Sequence, residues 1–182
     1  MLARRIKPVA LQARKIYVKL MMEVVGRSLQ AISDLDPSIR EETRVLPDGF
    51  LFEMTVMPHG PALVMQKLPK GRLRYCGEKG PETADLSIRF KHIAHAFRVL
   101  SFQEKTSEAF AYDRMLVDGD IGYALRMTRV LNRLEAFILP KLLAERAVKE
   151  YPGNLGLSEK LLQAARIYLQ VASQFLATVK LA

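Results

Sequence analysis

Tryptophan is absent from this 182-residue chain, and cysteine occurs once, at Cys76. A single thiol excludes an internal disulfide and a multi-cysteine zinc site, and it is ordinary in a reducing compartment. Long apolar runs are missing too. The two longest stretches free of Asp, Glu, Lys and Arg, 54–66 and 167–179, have 13 residues each, short of the roughly 20 needed to cross a bilayer. No glycine-rich phosphate loop occurs, and no G-x-S-x-G elbow. Acid is scarce: 19 Asp and Glu stand against 28 Lys and Arg, for a net charge of +9. What is plentiful is apolar material. At 49% hydrophobic residues and a mean hydropathy of +0.03, the chain can bury a core, which excludes intrinsic disorder.

The basic excess is uneven. Residues 1–30 carry Arg4, Arg5, Lys7, Arg14, Lys15, Lys19 and Arg27 against Glu23 alone, whereas 31–50 is acidic, with Asp34, Asp36, Glu41, Glu42 and Asp48 against Arg40 and Arg44. Such an N-terminus fits a targeting peptide, a nucleic-acid arm or a surface that meets anionic lipid. Arg14, Lys15 and Lys19 interrupt the apolar core that a secretory signal requires. The nucleic-acid reading has charge alone behind it, because Tyr17 is the one aromatic in the stretch and no helix-turn-helix pattern is present.

Periodicity orders the elements. From Val9 to about Ile32, Leu11, Ile16, Leu20, Val24, Val25, Leu29 and Ile32 recur at helical spacing, which predicts a helix with one broad apolar face. Residues 34–48, punctuated by Pro37 and Pro47, read as a connector. After Asp48-Gly49 the period becomes two, with Phe50, Phe52, Met54 and Val56 on one face. Turn residues at 58–61, 69–71 and 78–81 divide three strands of a meander, the second over 62–68 and the third near 72–76. A fourth strand has Leu86, Ile88 and Phe90 on one side. Helices follow with a stripe of Ile93, Ala96, Phe97 and Leu100 and over 106–112. Met115-Leu116-Val117 predicts a fifth strand. Asp120 suits the N-cap of a helix to about Leu139, with Ile121, Leu125, Leu131, Leu134 and Ile138 as its apolar positions. Beyond the break at 151–154, a last helix is expected from about Ser158 to Val179. The layout is α+β: one five-stranded sheet covered by helices, with extra helices at both ends.

Catalytic chemistry is not evident. Cys76 has no local base, and a strand thiol is ordinarily a small core or edge residue. His92 and His95 stand at i, i+3, a spacing that can serve a metal, but no acidic or cysteine ligand accompanies them, and Ile93 and Phe97 claim the buried face. Asp118 and Asp120 could form a carboxylate pair; a turn followed by a helix cap explains them more simply. Neither an enzyme nor a cofactor is expected.

From Lys70 to Pro140 the sequence resembles the sterol carrier protein 2 (SCP-2) family. The resemblance rests on Gly71, Ala84-Asp85-Leu86-Ser87-Ile88, the helices from His92 and Thr106, and Leu116-Val117-Asp118-Gly119-Asp120. The run Phe110–Asp120, Leu125 and Leu131–Pro140 is especially similar to bacterial accessory lipid-binding proteins of ubiquinone biosynthesis. Many members carry a glycine between the two middle helices, where this chain reads Ser101-Phe-Gln-Glu-Lys-Thr106. The resemblance implies three parts: a basic N-terminal helical segment (1–48), a lipid-binding domain (49–140) and a C-terminal helical extension (141–182). It implies non-catalytic binding or transfer of a fatty acyl, isoprenoid or sterol-like lipid in an apolar tunnel at a membrane surface. The alternative is a membrane-associated scaffold for a lipid or quinone biosynthetic complex. On residue type and face, the expected lining is Phe52, Met54, Ile88, Phe90, Ile93, Phe97, Phe110, Ile121, Leu125 and Leu134. Arg4, Arg5, Lys7, Arg14, Lys15 and Lys19 are expected to face an anionic membrane. The expected setting is cytoplasmic and peripheral on the inner membrane, with a lipid or isoprenoid ligand and a partner protein or second copy held through the terminal helices.

Overall fold

A computed structural model describes residues 8–80 and 83–138. Arg4, Arg5 and Lys7, the residues from Leu139 onward and the helix expected over 158–179 lie outside the described residues.

The chain opens with α1 (Pro8–Leu35). Its buried stripe runs Val18, Met22, Leu29 and Ile32, with Val25 half-buried, an i+4, i+3 alternation that keeps one side toward the core. Ile16 and Leu20 were expected on this face but are 61% and 54% exposed. They stand two positions from Val18 and Met22, roughly 200° around the helix. At Gly26 the helix meets the sheet so closely that a Cβ would lie 2.5 Å from the Tyr75 ring.

The expected connector is in fact a helix, α2 (Pro37–Arg44). Pro37 occupies the first turn, where its missing N–H costs nothing and its fixed φ suits a helix. Asp36 caps it, accepting from the Ser38 backbone N–H at 2.9 Å. Ile39 and Thr43 face inward. The Thr43 hydroxyl lies 2.5 Å from the Gly71 carbonyl, tying α2 to the turn at Pro69–Gly71. Gly71 has φ +75°, and a Cβ there would sit 2.3 Å from the Arg40 carbonyl, so both backbone conformation and space require glycine.

The strands are β1 (Leu51–Val56), β2 (Ala62–Leu68), β3 (Arg72–Gly77), β4 (Leu86–Phe90) and β5 (Met115–Gly119), in the order β3-β2-β1-β4-β5. All pairs are antiparallel except β1 with β4. Between β4 and β5 lie α3 (Ile93–Leu100) and α4 (Thr106–Ala111), and α5 (Ile121–Ile138) follows β5. The register aligns Phe52 with Met65 and Leu86, Met54 with Leu63 and Ile88, and Val56 with Phe90. These apolar residues share the face beneath the helices. The other face carries polar cross-strand contacts: Ser87 donates to Glu53 at 2.9 Å, and Arg89 pairs with Asp118 at 2.6 Å.

α5 is held from the side by α2. Glu42 pairs with Arg126 at 3.1 Å and Arg129 at 3.0 Å, and the buried Asp36 pairs with Arg133. Tyr123 adds an edge-on contact with Phe50, at 5.3 Å between ring centroids. Loss of the cap alone costs about 1 kcal/mol, and stranding a buried ion-pair partner costs about 3–5 kcal/mol. Asp36→Ala is therefore expected to lose at least about 3 kcal/mol in urea unfolding, and Asp36→Asn, which can still cap, clearly less. A loss under 1 kcal/mol for the alanine variant would remove Asp36 from its structural role.

Candidate functional site

A cavity lies between the helix layer and the sheet. Met54, Phe90 and Met115 form its floor; Phe90 and Met115 are register partners on β4 and β5, and Met54 projects from β1 onto the same face. Met21, Val24 and Val25 enter from α1, at the i, i+3, i+4 spacing that puts them on one side. Val99 and Leu100 close the α3 side, Thr106 the α4 side, and Leu131, Leu134 and Glu135 the α5 side. The remaining wall is Phe102. Its φ is +59°, a left-handed conformation that a bulky residue adopts only at a cost of about 1–3 kcal/mol. This is the loop where many members of the family that residues 70–140 resemble carry glycine.

The cavity measures about 50 Å³, room for a few waters at roughly 10–15 Å³ each. The described residues thus form a small apolar chamber and no open tunnel with room for a lipid tail. Three of its walls are methionine, a flexible side chain that yields to irregular shapes.

Of the residues expected to line a lipid site, Met54, Phe90 and Leu134 border this cavity. Phe52 and Ile88 are buried in the continuous core beside it. Ile93 borders a different, shallower cleft of about 280 Å³, together with Leu11, Lys15, His59 and His92. Phe97 packs edge-on against Tyr17 at 5.1 Å, with the Arg14 guanidinium 5.5 Å from its ring centre. Phe110, Ile121 and Leu125 are 58%, 74% and 56% exposed, and none borders the cavity. Phe110 follows Ala109, the residue by which the short α4 turns inward. The inward stripe of α5 is Tyr123, Ala124, Met127, Leu131 and Leu134; Ile121 and Leu125 fall off it by a helical step of about 100°. The expected lining omitted the contributions of α1 (Met21, Val24 and Val25) and of Leu131, as well as Val99, Leu100, Phe102, Thr106, Met115 and Glu135. Glu135 could have been found: it stands i+4 from Leu131 and i+8 from Met127, on the buried side.

The other candidates have local roles. His92 caps α3, its Nδ1 accepting from the Ala94 N–H at 3.1 Å. Asp120 accepts from the Tyr123 N–H at 3.1 Å, and Asp118 pairs with Arg89, so the two aspartates serve a cap and a cross-strand pair. Cys76 is half-buried on the edge strand β3, with its thiol 3.8 Å from the Arg74 carbonyl. Among the basic residues of α1, Lys19 pairs with Glu78 at 2.9 Å, a hydrogen bond that raises its pKa, and Lys15 is exposed. No described helix is long and apolar enough to cross a membrane.

No family model matches the chain, and no curated relative does. Several solved structures are similar to it. One described as "UbiJ-SCP2 Ubiquinone synthesis protein" has 14% identity and a TM-score of 0.44, covering 66% of this chain and 97% of its own. Sterol Carrier Protein 2 Like 2 from Aedes aegypti has 11% identity and a TM-score of 0.43, covering 63% and 96%. Sterol Carrier Protein 2 from Yarrowia lipolytica, in its apo form, has 13% identity and a TM-score of 0.44, covering 63% and 89%. These structures bear the name of the family that residues 70–140 resemble.

Burial among apolar side chains pushes the Glu135 carboxyl up to about 7 from 4.5. Between those two values the folded protein keeps a proton that the unfolded chain has released, so stability falls as pH rises through the window. The full effect is at most about 3 kcal/mol, reduced by the part of the residue that water reaches. Glu135→Gln does not titrate. Urea unfolding is expected to show it more stable than the parent by about 1–3 kcal/mol at pH 8, with the difference shrinking at pH 5. An equal difference at both pH values would contradict this environment for Glu135.

Proposed function

We propose that this protein binds a hydrophobic lipid without catalysis, seating its apolar tail in the cavity beneath α1, α3 and α5, and exchanges it with a membrane. The observation that carries this reading is the cavity itself: apolar but for Thr106 and Glu135, and walled by the adaptable Met21, Met54 and Met115. Entry of a tail requires these side chains and Phe102 to move. Releasing the φ of Phe102 returns part of that cost. Burial of a ~16-carbon chain is worth on the order of 13 kcal/mol against water, at about 0.8 kcal/mol per CH₂.

The membrane-facing surface we assign to α1. Ile16 and Leu20 are exposed on it beside Lys15 and Lys19, and the same row continues at i+4 to Val24 in the cavity wall. Apolar side chains flanked by lysine suit an anionic interface, with Arg4, Arg5, Lys7 and Arg14 adding charge. The competing reading, a scaffold for lipid or quinone biosynthetic enzymes, is favoured by the small volume of the cavity.

Mass spectrometry of lipid extracted from the purified protein separates the two, because a carrier retains a long-chain lipid and a scaffold none. In titrations with fluorescent long-chain lipids, Val24→Trp, which fills the cavity from its half-buried side, is expected to weaken binding at least tenfold with little loss of stability. Phe102→Gly, which relieves the backbone and opens a wall, is expected to strengthen it. No bound lipid in the extract and no binding of any probe of twelve or more carbons would defeat the carrier reading. For the membrane surface, Ile16→Asp with Leu20→Asp is expected to abolish co-sedimentation with vesicles containing phosphatidylserine; unchanged sedimentation would discard that assignment.

A further inference from the structure

The helix α3 ends in a way that its sequence does not favour. The Gln103 N–H donates to the Arg98 carbonyl at 2.9 Å, and the Phe102 N–H donates to the Val99 carbonyl at 3.0 Å. These are the two bonds of a Schellman motif, with Phe102 at the left-handed position that glycine ordinarily fills. A phenylalanine kept there against its conformational preference needs something to hold it. Packing of its side chain in the cavity wall is one hold. A second lies two residues on. The Glu104 side chain, only 7% exposed, meets the Arg114 guanidinium through both carboxylate oxygens and lies 3.8 Å from Arg98. This clasp joins three segments that each border the chamber: Arg98 precedes Val99 and Leu100, Glu104 stands between Phe102 and Thr106, and Arg114 precedes Met115. Charge-assisted pairs of this kind are stronger than neutral hydrogen bonds.

We propose that the loop 101–105 is the gate of the cavity, that Phe102 is its moving part, and that the Glu104 clasp holds it shut. This inference rests on the lipid-binding reading above. When the clasp parts, the two Schellman bonds are free to break. Phe102 then leaves the left-handed region, which relieves the backbone, and its ring withdraws from the wall. Closing reverses both steps. The loop joins an eight-residue helix to a six-residue one, and short elements of this kind open locally more readily than core strands. Glu104 does not border the cavity, so it is a positioning residue that acts through Phe102. Opposed strain and clasp give the gate two arrangements, one with the pairs made and the backbone strained, the other with the pairs broken and the backbone relaxed.

Hydrogen exchange on the full chain, with no lipid added, reads the gate directly. In Glu104→Gln the amides of Phe102 and Gln103 are expected to exchange about tenfold faster than in the parent, while those of β4 stay unchanged. Arg98→Gln removes only the longer pair, so it is expected to shift the same two amides less; it decides the matter if Glu104→Gln does not fold. Unchanged loop amides, or an acceleration shared equally by β4, overturn the gate. The second measurement is the stopped-flow rate of uptake of a fluorescent C16 fatty acid. Glu104→Gln and Phe102→Gly are each expected to speed it by about fivefold, and the double variant to be no faster than Phe102→Gly alone, because the clasp then has no ring to hold in place. Effects that multiply in the double variant show that Glu104 acts other than through Phe102 and overturn the proposal. A parent that binds no probe defeats the lipid-binding reading, while the exchange result still decides whether Glu104 clasps the loop.

Discussion

The arrangement of the helices depends on one buried carboxylate. Asp36 sits in the corner between α1 and α2 with almost no exposure. One oxygen starts α2 by accepting from Ser38, and the other meets Arg133 on α5. Elements some hundred residues apart in sequence are thereby fixed to one point. An isolated ionised carboxylate there would be expensive to bury. It is tolerable because a helix N-terminus and a guanidinium meet it together, so cap and ion pair hold the corner jointly. Glu42 extends the seam with two partly exposed pairs that are individually weak. Since α5 supplies Leu131, Leu134 and Glu135 to the cavity, the geometry of the candidate site is set at a corner that contributes nothing to its lining.

Much of this was legible in the chain itself, and the rest was hidden for identifiable reasons. The five strands were readable because alternation and turn residues agree: the second strand was expected over 62–68 and spans Ala62–Leu68. The cap at Asp120 follows from residue type and place, whereas the cap at His92 was not read from the sequence, where His92 stood out for its i, i+3 spacing to His95. α2 was obscured because Pro37 and Pro47 look like punctuation, although proline at a first helical turn begins a helix as readily as it ends one. Eight residues are also too few for periodicity to assert itself. The helix faces failed where apolar residues sit on more than one side. Ile16 and Leu20, or Ile121 and Leu125, fit helical spacing among themselves but lie out of phase with the stripe that the sheet selects. Only contact with the sheet decides between such stripes.

Phe102 and Glu135 were hidden in a different way, because each contradicts its local signal. Phenylalanine in a left-handed conformation is not what a short polar loop suggests, yet the loop holds φ +59° there. The spot is marked in the sequence as the place where many members of the resembled family carry a glycine that this chain lacks. Glu135, in the run Arg133-Leu134-Glu135-Ala136, looks like part of a solvated helix face. Both residues border the same chamber. Backbone strain of the kind at Phe102 clusters at ligand clamps and switch regions, which is why the proposed site is placed at this chamber.

The size of that cavity bears on how such a protein could exchange a lipid. Gaining on the order of 13 kcal/mol for a ~16-carbon tail against water would make binding nearly irreversible if water were the alternative. Against a bilayer the hydrophobic term almost cancels, because the tail already lies in hydrocarbon. In the proposed exchange, what remains is the work of parting Met21, Met54, Met115 and Phe102, set against strain released at Phe102. These are terms of about 1–3 kcal/mol each, the scale on which an equilibrium between protein and membrane can shift in either direction. A roomy, permanently open tunnel would omit the closing term and hold its cargo more tightly. In the proposed exchange, a chamber that closed on its methionines when empty would return that energy on release, so loading and unloading would be comparable and would need neither a covalent step nor an energy source.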